Sequence, residues 1–194
     1  LTLPMCLDCG QYAEFGVQAF SGEYVVLSSQ IRALGAGAAI RPAGTLESGD
    51  DDGFLDQRVA TSFIWYPQPF GFQTEWTVGR GPALNETQTA VEDEALYGGY
   101  VMMMYKIDDC HGTWIPFIRW NYYNGGYKAE RNAPDVRIDE LEMGVEWQIN
   151  PAMELTLGYT ITDRTNTTAF NQVGVVPYQQ YDGSILRLQF QINY

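Results

Sequence analysis

Charged side chains of both signs recur at every second position along several stretches of this 194-residue chain, a spacing that points to a wetted surface able to steer ions. Glu75, Glu140, Glu142, Glu146 and Glu154, with Arg58, Lys106, Arg119 and Arg187, each fall on the polar side of such a stretch, as does Glu14. Charges that face an aqueous cavity inside a membrane shape ion pathways. Facing rows of opposite sign, which Glu154 and Arg187 would form on successive strands, serve equally well as structural cross-strand pairs. Reaction chemistry is poorly provided for. Glu140 and Glu142 share one strand face, as general acid–base work would require, yet that face is the one read as bathed in water. The single histidine, His111, falls in a short turn and no Gly-x-Ser-x-Gly elbow occurs, so a serine hydrolase would lack both base and strained turn. No enzyme is expected. Cys6-Leu7-Asp8-Cys9 has redox or half-zinc-site spacing, but no second pair follows and His111 stands beside Cys110 alone, so neither a metal nor another cofactor is expected.

The elements that must carry these residues are strands. In residues 183–194, Leu186, Leu188, Phe190, Ile192 and Tyr194 alternate with Arg187, Gln189, Gln191 and Asn193, and side chains of a strand point alternately to opposite faces. An apolar row leading every second residue to a terminal aromatic resembles the carboxy-terminal assembly signal of bacterial outer-membrane β-barrels, which implies capture by the barrel-assembly machinery. Seven further alternating segments lie at residues 12–26, 57–66, 70–79, 97–107, 113–123, 137–149 and 153–162. The clearest sets Leu141, Met143, Val145, Trp147 and Ile149 against Glu140, Glu142, Gly144, Glu146 and Gln148. In 113–123 the apolar residues fall on both sides, and charge decides: an arginine toward lipid costs about 2–4 kcal/mol at the midplane, so Arg119 faces inward. The reading is all-β, a transmembrane antiparallel up-and-down barrel of about eight strands, one domain over residues 1–194. Connections near 67–69, 108–112 and 150–152 are short, whereas those near 27–56, 80–96, 124–136 and 163–182 are long, and barrels keep short turns in the periplasm and long loops outside. The glycine-rich stretch 34–39 in the longest loop serves either as a constriction folded into the lumen or as a flexible surface loop.

Composition agrees with a membrane setting. Aromatics make up 14% of the chain, enough for girdles at both interfaces, while no run of about 18 uncharged apolar residues exists to make a transmembrane helix. With 24 acidic against 11 basic residues the net charge is −13, which argues against a nucleic-acid partner. Glu47, Asp50, Asp51, Asp52, Glu92, Asp93 and Glu94 fall between the strands, either as a solvated acidic surface or as sites for divalent cations bridging to lipopolysaccharide. An oxidising periplasmic side permits a Cys6–Cys9 disulfide, with Cys110 left over. Leu1 is not a natural start, so the chain is expected to be processed or incomplete.

From Pro69 onward the sequence resembles the carboxy-terminal half of the phosphate-selective porin O and P family. The stretches that carry the likeness are Pro69-Phe70-Gly71-Phe72-Gln73-Thr74-Glu75-Trp76, Gly79-Arg80-Gly81-Pro82 and Tyr97-Gly98-Gly99-Tyr100-Val101. They continue in order with Pro116-Phe117-Ile118-Arg119-Trp120-Asn121-Tyr122-Tyr123-Asn124-Gly125-Gly126, Asn132-Ala133-Pro134, Glu140-Leu141-Glu142-Met143-Gly144-Val145-Glu146-Trp147 and Leu155-Thr156-Leu157-Gly158-Tyr159-Thr160. The resemblance implies a sixteen-stranded, usually trimeric barrel of the bacterial outer membrane that passes ions and small hydrophilic solutes passively, with this chain supplying half of the barrel. It also implies inward rows of basic residues for phosphate. Here Arg58, Lys106, Arg119 and Arg187 stand among more numerous acids, so a general porin is the expectation. The alternative is a small closed eight-stranded barrel, packed with side chains, acting as adhesin or anchor through its acidic loops.

Overall fold

Period-two alternation yields strands throughout the residues that the computed structural model describes: 2–6, 11–24, 53–85, 91–128, 133–166 and 180–192. In chain order they are β1 (Thr2–Cys6), β2 (Tyr12–Tyr24), β3 (Phe54–Trp65), β4 (Phe70–Leu84), β5 (Val91–Tyr105), β6 (Ile107–Asp109), β7 (Gly112–Gly126), β8 (Asp135–Asn150), β9 (Met153–Asn166) and β10 (Gln180–Ile192). They form one antiparallel meander, β1-β2-β3-β4-β5-β7-β8-β9-β10, with β6 beside β7. Since β5 pairs with β7 from Tyr97 to Met104 and β6 takes over at Ile107, the two make a single lane interrupted at Lys106, whose amide donates instead to the Pro69 carbonyl (2.6 Å). Within the described residues β1 and β10 do not pair with each other; nine antiparallel lanes leave both running toward the short-turn end.

The register lines up the apolar residues of neighbouring strands. Leu188 lies opposite Leu157, which lies opposite Val145; Phe190 lies opposite Leu155, and that opposite Trp147. This outer face leaves Val78, Met103, Ile118, Met143, Leu157 and Leu188 exposed. Aromatics bracket it. Near the short turns Trp114 and Trp147 stack at 4.7 Å and Trp65 meets Phe70 at 6.1 Å, while toward the long loops Trp120 packs against Trp76 and Tyr122. Trp114 and Trp120 are six residues apart on β7, about 20 Å at the rise of an extended strand, comparable to the apolar band of an outer-membrane barrel. Above the upper belt the outer face turns acidic, with Asp139, Asp163 and Asp182 in one cross-strand row.

Three features differ from the sequence reading. Strand β1 adds a lane ahead of the first recognised segment: five residues interrupted by Pro4 are too short for a periodic signal, yet Leu3 and Met5 continue the exposed apolar face. The connection at 80–96 is mostly ladder, because β4 and β5 stay paired up to Leu84 and Val91. There the alternation fails since no lipid-facing row is needed; Leu84 and Val91 are buried, with Phe54 packed against them. The connection at 163–182 shortens likewise, since Thr165 still pairs with Gln180. The 34–39 stretch, Glu47, Asp50, Asp51, Asp52, Cys9 with its pairing to Cys6, and Tyr194 lie outside the described residues. Leu157→Arg, at mid-depth of the outer face, is expected to cost about 2–4 kcal/mol of stability in lipid vesicles, whereas Thr156→Lys on the opposite face costs little; urea titration of vesicle-embedded protein checks this.

Candidate functional site

The inner face is set by the residues between the apolar ones, and the ladder brings its charges into two clusters. At mid-height, Glu142 on β8 faces Arg119 on β7 and Thr160 on β9. Its side chain is 3% exposed, and both carboxylate oxygens are engaged: Arg119 Nη2 donates to Oε2 and Arg187 Nη2, from β10, donates to Oε1 at 2.9 Å. Arg187 must reach across the whole of β9 to do so. It can because its cross-strand partner is Gly158, where an added Cβ would come within 2.9 Å of Glu142 Oε1. Gly144 likewise leaves room for the Phe117 ring, 2.7 Å from where its Cβ would be. Arg119 lies over the Tyr100 ring at 5.9 Å, and Gln73 Nε2 donates to the Tyr100 hydroxyl at 2.6 Å.

The second cluster sits at the long-loop end. Asp56, 1% exposed, accepts from Arg58 Nε at 2.7 Å and from Lys128 Nζ. Lys128 follows β7, so this pairing draws the start of the β7–β8 connection over β5 and β4 to β3, and its ammonium also lies 4.5 Å from the Tyr24 ring on β2. Gly125, at φ 140°, permits the crossing, because a Cβ there would meet Leu96 Cβ at 2.5 Å. On the returning side the Leu84 amide donates to the Ala133 carbonyl (2.8 Å), and the Tyr127 amide to that of Pro134 (2.9 Å).

The ten charged residues expected on the water-facing side all fall on the face opposite the apolar rows, Glu14 among them, where its Oε2 accepts from the Tyr12 hydroxyl at 3.2 Å. Arg119, Arg187 and Glu142 come together; Arg58 joins Asp56 instead. Glu140 accepts from Thr162 Oγ1 (2.9 Å) and Glu146 from Gln148 Nε2 (2.6 Å), while Glu75 lies opposite Ser62 and Tyr100. Glu154 neighbours Gln148 and Gln191, away from Arg187, because Arg187 is opposite Gly158. Lys106 is at the short-turn rim, 3.1 Å from Asp108 Oδ2; a hydrogen bond from Thr113 Oγ1, and then that ammonium, hold the Asp108 carboxyl below the usual carboxylate range. In the adjoining turn the exposed Cys110 thiol is 3.3 Å from His111 Nδ1. Asp56 and Lys128 were missed as site residues. Asp56-x-Arg58 on one strand face was a readable signal, but the position of Lys128 depends on a loop crossing that periodicity does not encode.

A continuous antiparallel meander, apolar and aromatic-belted outside and charged inside, defines a transmembrane β-barrel protein of the outer-membrane type. The chain belongs to the phosphate-selective porin O and P family, whose model matches residues 2–194, and it is a porin-type channel protein of the bacterial outer membrane. No curated protein and no solved structure matches it. Asp56→Ala is expected to loosen the β7–β8 crossing by about 1–2 kcal/mol, less than for a fully buried pair, because the Arg58 and Lys128 it releases are each nearly a third exposed. Hydrogen exchange at the Leu84 and Tyr127 amides would then accelerate while that of β9 and β10 stays unchanged.

Proposed function

We propose that this chain lines a water-filled pore through which ions and small hydrophilic solutes diffuse passively, without preference for phosphate. The observation that carries the reading is the pairing of its inner cations. Arg58 is held by Asp56, Arg119 and Arg187 by Glu142, and Lys106 by Asp108, so the basic residues that would suit phosphate each answer to a carboxylate. Arg58, Lys106, Arg119 and Arg187, with Glu75, Glu140, Glu142, Glu146 and Glu154, form the wall of the passage. The chain acts as part of a larger barrel: among the described strands β1 and β10 run the same way, so an all-antiparallel closure needs further strands between them. Lipopolysaccharide surrounds the long-loop rim, the barrel-assembly machinery takes up the last strand, and the working unit is a homotrimer. Planar bilayers test the reading. The complete protein is expected to give steady open-channel conductance, with Arg119→Ala moving the reversal potential toward cations and Glu140→Gln toward anions. Each shift is about sevenfold in permeability ratio, since one charge about 7 Å away through water acts about 2.7-fold on the cation and as much in the opposite sense on the anion. Silent bilayers, or unchanged ion preference in both variants, would overturn it.

A further inference from the structure

Among the described residues, Glu142 is the one carboxylate on the inner face that is almost entirely covered while both of its oxygens hold guanidinium groups from other strands. Arg119 approaches from the adjacent β7, and Arg187 from two lanes away, over a gap that exists because position 158 carries no side chain. The arginines themselves remain accessible, with about a third of the Arg119 side chain and half of the Arg187 side chain exposed. A guanidinium has five N–H donors, and those committed to a buried carboxylate are withdrawn from anything passing by. Resting on the reading of the inner face as a pore wall, we propose that Glu142 is the specificity-determining residue of the channel. It acts as a built-in counter-ion that occupies the Arg119–Arg187 pair and keeps it from taking up mobile oxyanions.

The arrangement has its own logic of charge and space. The triad carries a single net positive charge on three side chains, a weak attraction for anions. Without the carboxylate, two guanidiniums converge on one spot with a charge of two and free forks, the geometry that grips a tetrahedral or planar oxyanion. Gly158 is the positioning residue, since an added Cβ there would stand 2.9 Å from Glu142 Oε1, the oxygen that Arg187 holds, and would press on it while leaving every charge in place.

Two measurements on the folded protein test this. In detergent, phenylglyoxal is expected to modify Arg187 faster in Glu142→Gln than in the wild type, read peptide by peptide by mass spectrometry. Gly158→Ala is expected to do the same with no change in charge, which keeps the test decisive if Glu142→Gln fails to fold. In bilayers, Glu142→Gln is expected to raise the anion-to-cation permeability ratio about sevenfold, since one charge removed about 7 Å away through water favours the anion and disfavours the cation by about 2.7-fold each. It should also introduce a saturable block of chloride current by inorganic phosphate, absent in the wild type and abolished again in Glu142→Gln/Arg187→Gln. Equal labelling of Arg187 in all three proteins, or phosphate block of equal strength with and without Glu142, would overturn the proposal. A wild type that conducts nothing would sink the pore reading instead, while the labelling rates would still decide whether Glu142 occupies the arginines.

Discussion

The backbone has no water to turn to inside a hydrocarbon layer, so every amide and carbonyl there must bond to a neighbouring strand. The rest of this molecule follows from that requirement. Long antiparallel ladders satisfy the backbone, and the pleat of each strand then assigns alternate side chains to lipid and to the interior with no freedom to choose. A slip of one residue would carry Arg119 or Glu142 outward and Ile118 or Met143 inward. The unbroken register from Thr113 to Gly126 against β8 is therefore what makes the charge clusters possible.

Within that frame, polar residues are organised by pairing rather than by simple exposure. Glu142 and Asp56 are nearly free of water, yet each is met by two cations, one of them contributed by a distant part of the chain. The glycines of the inner face serve the same end: Gly158 leaves room for the Glu142 carboxylate, and Gly125 lets the end of β7 press against Leu96. Small residues thus act by leaving room, and the large charged ones depend on it.

How much of this was legible follows from what a periodic pattern can and cannot encode. The strands with apolar rows, such as β8 with Leu141, Met143, Val145 and Trp147, announced themselves, as did the short turns and the place of Arg119 on the face opposite Ile118 and Trp120. The upper parts of β4 and β5 did not, because Pro82 and Glu92 to Glu94 stand above the apolar band, where nothing enforces alternation. Cross-strand chemistry was only half visible. Glu142 and Arg119 could be placed on one face, but their meeting depends on register. A pairing of Glu154 with Arg187 seemed equally natural until the ladder put Gly158 opposite Arg187. The clasp between Asp56 and Lys128 joins residues 72 positions apart and depends on the path of a loop.

The lower aromatic belt has a further property. Trp114 and Trp147 face each other across β7 and β8 with rings 4.7 Å apart and only 4° from parallel, and the Trp147 indole nitrogen donates to the His111 carbonyl. Two indoles held face to face this closely share their excitation, so their electronic transitions are coupled. Because the partners come from separate strands, that coupling exists only when this hairpin has zipped in its native alignment, so the molecule carries an intrinsic optical reporter of its own insertion.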